Sequence, residues 1–450
     1  KVSVSYIPSD SGNWSGLGPI SSLQLRTAYG MAGLQPGAFD AFTSYLALAS
    51  ANGAGIAPNN LGDPDLKPEV SKEFEIGFNA GLFNDKFNLE FTYWDRITTD
   101  ALYARQFPLS GGFRNQQLTN VGELEANGLE INLSGNIIRK GDLTVNAYVN
   151  AAYLQENVKS LGGAPPLKVG GSYPRYRNFL QEGFAPGANF GAKLASVPSG
   201  SLPIDIANGD GLPDTSQQLV AFLTGNGSYS LPTSIGTGSV LLADEDGDGD
   251  YLDHYLGKST PDWTGAFGGS VNYKNWTLNT TFEFKAGNFV INNLTDAFRQ
   301  ANGAIGRNLP RSAKVARDYA TGGVDAGFTP QGDGNVRLAA LDEWLNNTLA
   351  LAPFSGLNTL EKADFVRWRE LSLNYNITGS ILDQFSIDTA SIGLSGRNIA
   401  IFTSYTGVDP EINFVGRGSG SNLDQNYGQG IAAFGWPIPT QVLLTLKVGF

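Results

Sequence analysis

The chain has no cysteine, one histidine and one methionine in 450 residues. The absence of cysteine removes disulfides, thiolate catalysis and cysteine-ligated zinc together. A lone histidine, His254, cannot form a His-pair zinc site, and without a His-Glu-x-x-His pattern a zincin-type protease is excluded. Charge is scarce as well: 16% of residues are Asp, Glu, Lys or Arg, against about a quarter in ordinary globular chains. The balance is acidic, −12, which argues against a nucleic-acid partner. No window of about 18 apolar residues exists, so no membrane-crossing helix is expected; a barrel needs none. No P-loop, nucleophile elbow or complete dinucleotide fingerprint appears, and Gly416-Arg-Gly-Ser-Gly-Ser421 reads as a plain loop.

What is plentiful is glycine, 57 residues, and aromatic side chains, 11%. Low charge with many glycines and aromatics suits either a β-barrel whose outer wall meets lipid or an extracellular all-β protein. The last ten residues show the pattern most clearly. Val442, Leu444, Leu446, Val448 and Phe450 alternate with Gln441, Leu443, Thr445, Lys447 and Gly449. Period-two alternation describes a strand with one greasy and one wet face, and about ten residues cross a bilayer when tilted.

The same alternation recurs as hairpins. Phe74, Ile76, Phe78 and Ala80 lead through Phe83-Asn-Asp-Lys86 to Phe87, Leu89, Phe91 and Tyr93. Leu129, Ile131 and Leu133 precede a turn at Arg139-Lys-Gly-Asp142, followed by Leu143, Val145, Ala147, Val149 and Ala151. Val271 and Tyr273 pass through Lys274-Asn275 to Trp276, Leu278, Phe282 and Phe284. Leu371, Leu373, Tyr375 and Ile377 lead to Ile392 and Leu394, and Ser22 to Gly30 adds one more strand. About eleven or twelve long strands are expected.

Between the hairpins, segments 96–120, 155–262, 287–364 and 398–440 read as mostly irregular. Short turns alternating with long loops describe a transmembrane barrel with long extracellular loops; a soluble sandwich would show strands of about five or six residues. Strand-end aromatics such as Trp94, Tyr273, Trp276 and Trp368 suit interfacial girdles. Inside loop 287–364, the spacing of Leu338, Leu341, Leu345 and Leu349 predicts a short helix over 336–352.

One loop carries a sharp chemical signal. Asp244, Asp246 and Asp248 stand at positions one, three and five, with Gly249 at six and Asp250 at seven. That spacing directs hard oxygens around a tight turn, as Ca²⁺ requires. Tyr255 occupies position twelve, so Asp253 would substitute from position ten. The expected ligand set is therefore Asp244, Asp246, Asp248, Asp250 and Asp253, in a structural rather than catalytic role, with His254 as a bystander. Asn208-Gly-Asp-Gly-Leu-Pro-Asp214 is a shorter echo that reads as a turn. The carboxylates Glu73, Glu75, Glu123, Glu125 and Glu130 fit a polar lumen better than glycosidase chemistry. Loop aromatics Phe107, Phe113, Tyr173, Tyr176, Phe179 and Tyr427 are expected to hold their loops together.

Several stretches together resemble the SusC/RagA-type TonB-dependent transporters of the bacterial outer membrane. They include Leu23-Gln-Leu-Arg-Thr-Ala-Tyr-Gly30, Asp63-Pro-Asp-Leu-Lys-Pro-Glu69 with Phe74-Glu-Ile-Gly77, and Asn120-Val-Gly-Glu-Leu-Glu-Ala-Asn-Gly-Leu-Glu130. Glu182-Gly183 and Pro186-Gly187 with Phe190-Gly191, the Asp244–Gly257 stretch with Pro261 and Phe267, Arg369-Glu-Leu-Ser-Leu-Asn-Tyr375, Gly396-Arg-Asn398 and Tyr405-Thr-Gly-Val-Asp-Pro-Glu411 continue the run. The terminal Phe450 resembles the export signal of outer-membrane barrels. The resemblance implies that residues 1–450 are the carboxyl-terminal part of the barrel, with the plug and early strands outside this sequence. It implies import without covalent chemistry, a SusD-like surface lipoprotein as partner, energy from the TonB system through the plug, and oligosaccharide or peptide cargo. A structural or adhesive surface protein without transport, and a soluble carbohydrate-binding β-protein, stay open on the residues alone.

Overall fold

The computed structural model of the protein describes all residues except 11–17, 51–52, 107–109, 111, 114, 121, 170–176, 192–251, 301–358, 380–381, 383, 385–386 and 414–428. Its main feature is one antiparallel sheet of eleven strands. In chain order these are β1 (Val2–Tyr6), β2 (Ile20–Leu34), β3 (Glu69–Leu82), β4 (Phe87–Thr99), β5 (Glu123–Lys140) and β6 (Leu143–Ser160). They continue with β7 (Trp263–Tyr273), β8 (Trp276–Ala286), β9 (Phe365–Ile377), β10 (Thr389–Thr403) and β11 (Gln441–Gly449). Each strand pairs with its neighbour in sequence, a meander that matches the expected barrel wall.

The turns explain the connectivity. The β3–β4 turn places Phe83, Asn84 and Asp85 at positive φ, the β5–β6 turn uses Gly141, and the β7–β8 turn is Lys274-Asn275 with Lys274 at φ 52°. Such left-handed residues match the twist of paired strands in tight hairpins. All these turns lie at one end of the wall. The longer connections, after β2, β4, β6, β8 and β10, leave from the other.

The two faces differ as the alternation predicts. One register row runs Leu23, Ala80, Leu89, Leu133, Val149, Phe267, Phe282, Trp368 and Ala400. Phe282 is stacked between Phe267 and Trp368 at 5.1 and 5.4 Å. The opposite face carries Gln24, Asn79, Glu90, Asn132 and Asn150 on one row.

The apolar face is bounded by aromatics. Tyr273, Trp276 and Tyr375 share the lower row, with Trp276 and Tyr375 rings 4.5 Å apart. Tyr93, Tyr153 and Trp263 stand at the upper edge, Tyr153 and Trp263 5.0 Å apart. Strand β7 has 11 residues and ends on Trp263 above and Tyr273 below. At ~3.3 Å per residue and a tilt near 40°, that separation spans about 25 Å, the height of a lipid-facing band.

The structure departs from expectation above this band. Strands β4, β6 and β10 run on to Thr99, Ser160 and Thr403, into segments expected to be irregular. Both faces are wet there, so alternation fades while backbone pairing continues. The connections also hold short strands: Leu102–Gln106 with Gln116–Asn120, and Ser44–Ser50 with Gly53–Asn60. A four-stranded sheet joins Leu167–Lys168, Asn178–Leu180, Ala188–Gly191 and His254–Gly257. A three-stranded sheet joins Leu360–Lys362, Val290–Asn293 and Ile431–Ala432, and leads into the helix α1 (Leu294–Gln300). The helix expected over 336–352 lies outside the described residues. The buried apolar clusters sit in this connection layer, one around Tyr103, Val158 and Leu180, another around Phe289, Ile291 and Phe365.

Candidate functional site: the polar face and the connection layer

The polar face divides into two zones. Near the short turns it is neutral apart from Lys447, opposite Ser391: one row reads Asn146, Ser270, Asn279, Ser372 and Ser395. Asn146 Nδ2 donates to Ser270 Oγ at 3.2 Å and Asn279 Nδ2 to Ser372 Oγ at 3.3 Å. Higher on the wall the rows carry charge. Glu73 and Glu75 lie on this face, as expected, and Glu73 is ion-paired with Arg96. Glu130 lies here too, opposite Thr92. Glu123 and Glu125 do not. They share the outward face with Lys159, which they hold at 3.0 and 2.8 Å. They sit on the upper extension of β5, where parity, not residue type, decides the face.

The densest charge cluster lies where β8, β9 and β10 meet the last connection. A β-bulge between Trp368 and Glu370 places Arg369 near Arg367 on the polar face. Arg367 Nη2 donates to Asp409 Oδ1 at 2.5 Å, and these side chains are only 5% and 3% exposed. Arg367 Nε lies 2.6 Å from Glu411 Oε2, an ion pair not aligned as a hydrogen bond. Arg369 pairs with Glu411 and with Glu283, the latter at 2.5 Å, and donates to Asn398 Oδ1 at 3.2 Å. Asp409 also accepts the amides of Glu411 and Ile438, at 2.9 and 3.3 Å. Asn398 Nδ2 donates to the Pro439 carbonyl at 3.2 Å. Three stretches flagged separately in the sequence, around Arg369, Asn398 and Asp409-Pro-Glu411, thus form one network. Arg367 escaped the sequence reading; its only sign was a charge among apolar neighbours.

The connection layer is tied together by buried amides. Asn178 Nδ2 reaches the carbonyls of Gly187 and Gln429, at 3.0 and 3.2 Å, and both Asn178 and Asn189 reach Ser259 Oγ. Arg177 donates to the Phe190 carbonyl at 2.6 Å. Burial, reinforced by the Arg177 charge, pulls the Lys168 amine down to about 8. Glu156 stands just above the band; burial pushes its carboxyl up, against the pull of Lys258, a Thr260 hydrogen bond and Arg96. Burial likewise pushes the Tyr405 hydroxyl up, with Glu361 adding to it.

Of the five expected calcium ligands, Asp244, Asp246, Asp248 and Asp250 lie outside the described residues. Asp253 is described, its Oδ1 3.6 Å from Nδ1 of the buried His254. Phe113 is buried, and Phe179 packs edge-to-face on Phe190 at 5.9 Å, so these two hold their loops as expected. Phe107, Tyr173, Tyr176 and Tyr427 lie outside the described residues.

An apolar band rimmed by aromatics, a polar face behind it, and short turns opposite long connections define the wall of an antiparallel transmembrane β-barrel. Residues 1–219 match the family described as TonB dependent receptor-like, beta-barrel. Over that stretch, just under half of its length, the chain is similar to the TonB-dependent receptor β-barrels, a family of the bacterial outer membrane. It is 26% identical over 382 residues to TonB-dependent receptor P3 of Formosa agariphila, covering 83% of this chain and 34% of that protein. It is 23% identical over 458 residues to TonB-dependent receptor P39 of the same organism, covering 96% and 41%. The fold resembles a solved structure of the RagAB peptide transporter, with a TM-score of 0.66 at 20% identity, covering 100% of this chain and 43% of the other. The chain thus spans well under half the length of these relatives.

Proposed function

We propose that this chain supplies the carboxyl-terminal part of the wall, with its outer connections, of an outer-membrane importer driven by the TonB system through a plug encoded elsewhere in the full protein. The observation that carries the reading is the polar face: a hydrogen-bonding lining behind a lipid-facing band, roofed by packed connections. Such a wall passes solute rather than transforming it, so the reading assigns no covalent chemistry. The cargo is an oligosaccharide or a peptide, and a SusD-like lipoprotein covers the outer end. The likeness to a structure described as a peptide transporter supports the peptide branch.

The test is uptake in the native host. Deleting the gene should abolish import of labelled oligosaccharides or labelled peptides, and a protonophore should do the same in the parent strain. Unchanged uptake of both pools would overturn the reading and favour a structural or adhesive role. We also propose Ca²⁺ at Asp244, Asp246, Asp248, Asp250 and Asp253, on the strength of their spacing. Chelation should speed proteolysis within 244–253; an unchanged cleavage rate would sink the assignment.

A further inference from the structure

The short-turn end of the wall carries lysines where the turns alone do not ask for them. Lys274 sits at φ 52° in a two-residue turn, a position that Asn or Gly fills with less strain. Its Nζ lies 5.5 Å from the centre of the Tyr273 ring. Lys140 stands opposite Leu143, and Leu143 opposite Tyr273, so Lys140 and Lys274 flank one apolar strip on the lipid-facing side. The two turns are joined directly, the Lys274 amide donating to the Asp142 carbonyl at 3.3 Å. Together they carry Arg139, Lys140 and Lys274 against Asp142, in a chain whose overall balance is −12.

We propose that this double turn binds the headgroup of an anionic phospholipid in the leaflet at the short-turn end. The phosphate lies between the Lys140 and Lys274 ammonium groups, and an acyl chain runs along Leu143, Tyr273 and Trp276. Three arguments converge on lipid. The strip beside the lysines belongs to the lipid-facing band. The lower aromatic row marks headgroup level. Lysine stems lie along apolar surface while their charge stays at the wet boundary. The strained backbone at Lys274 is consistent with a side chain kept for what it binds rather than for the turn.

The test is spin resonance on the full-length protein in lipid vesicles, comparing spin-labelled phosphatidylglycerol with spin-labelled phosphatidylcholine. The wild type should prefer the anionic lipid by about fivefold or more at low salt, the scale set by one lysine near a charged headgroup. The double variant K140Q/K274Q should bring the ratio close to one. K72Q, an exposed outward position at the opposite end of the wall, should leave it unchanged. Raising the salt concentration provides a readout without any variant, because charge-based selectivity must fall. A wild-type ratio near one, a preference that survives the double variant, or a preference indifferent to salt would each overturn the proposal. None of these readouts involves cargo, so they stand or fall apart from the importer reading.

Discussion

Replacing Asp409 with alanine removes the carboxylate that Arg367 meets at 2.5 Å in a site from which water is almost wholly excluded. Arg367 keeps Glu411, but that pair is not aligned as a hydrogen bond. The amides of Glu411 and Ile438 lose their acceptor in the same stroke. Breaking a buried pair from one side typically costs about 3–5 kcal/mol, because the remaining charge stays buried without its partner. Retained contact with Glu411 argues for the lower end, about 3 kcal/mol. The cost should fall locally, since the network ties 404–440 to β9 and β10 and takes no part in pairing the rest of the wall. Hydrogen exchange on the full-length protein reads this directly. Amides of residues 405–409, 411–412, 438 and 440 should exchange on the order of 10²-fold faster, while amides of β3 to β7 stay unchanged. The double variant Arg367→Met with Asp409→Leu should recover much of the loss, since an apolar pair of similar volume replaces a buried ion pair at little cost. Acceleration below about threefold in D409A, or equal acceleration across the whole wall, would refute the reasoning.

Other outcomes follow from single features. A Cβ on Gly128 would fall 2.4 Å from the Tyr153 carbonyl oxygen and 2.8 Å from the Trp94 ring, so Gly128→Val should lower the yield of heat-modifiable folded barrel on unboiled gels. Lys168 should react with an amine acylating reagent with a midpoint near pH 8, below that of exposed lysines; a midpoint near 10.5 would count against its burial. The linked effect on stability has a definite sign. Between about pH 8 and 10.5 the unfolded lysine still holds a proton that the folded one has released, so the connection layer should gain stability as pH rises through that window. Deleting Phe450 should impair membrane assembly, measured as the folded fraction in outer-membrane preparations.

The wall was legible because lipid on one side and a polar lumen on the other impose strict alternation, as in Phe87-Asn-Leu-Glu-Phe-Thr-Tyr93. Legibility ended where lipid ends. Asp95, Arg96 and Thr98 belong to β4, yet nothing in their order announces a strand, because both faces meet polar surroundings. The short strands of the connection layer were invisible for the opposite reason. Ala188–Gly191 is buried throughout, so it shows no alternation at all. The ionic network left only fragments in the sequence: Arg367 and Asp409 are 42 residues apart, and only the fold brings them together. The Asp244–Asp250 loop offered the clearest sequence signal but falls outside the described residues.

The parallel pairing of Asn292 and Asn293 with Ile431 and Ala432 stitches the β8–β9 connection to the β10–β11 connection. The hydrogen bond from Asn178 to the Gln429 carbonyl adds the β6–β7 connection to the seam. Surface loops usually drift in sequence independently, since each answers only to its own ends. Here, a substitution at Asn178, Asn292 or Ile431 alters the footing of a second connection as well. Chimaeras that exchange one of these connections between related barrels should therefore fail unless its stitched neighbour is exchanged with it.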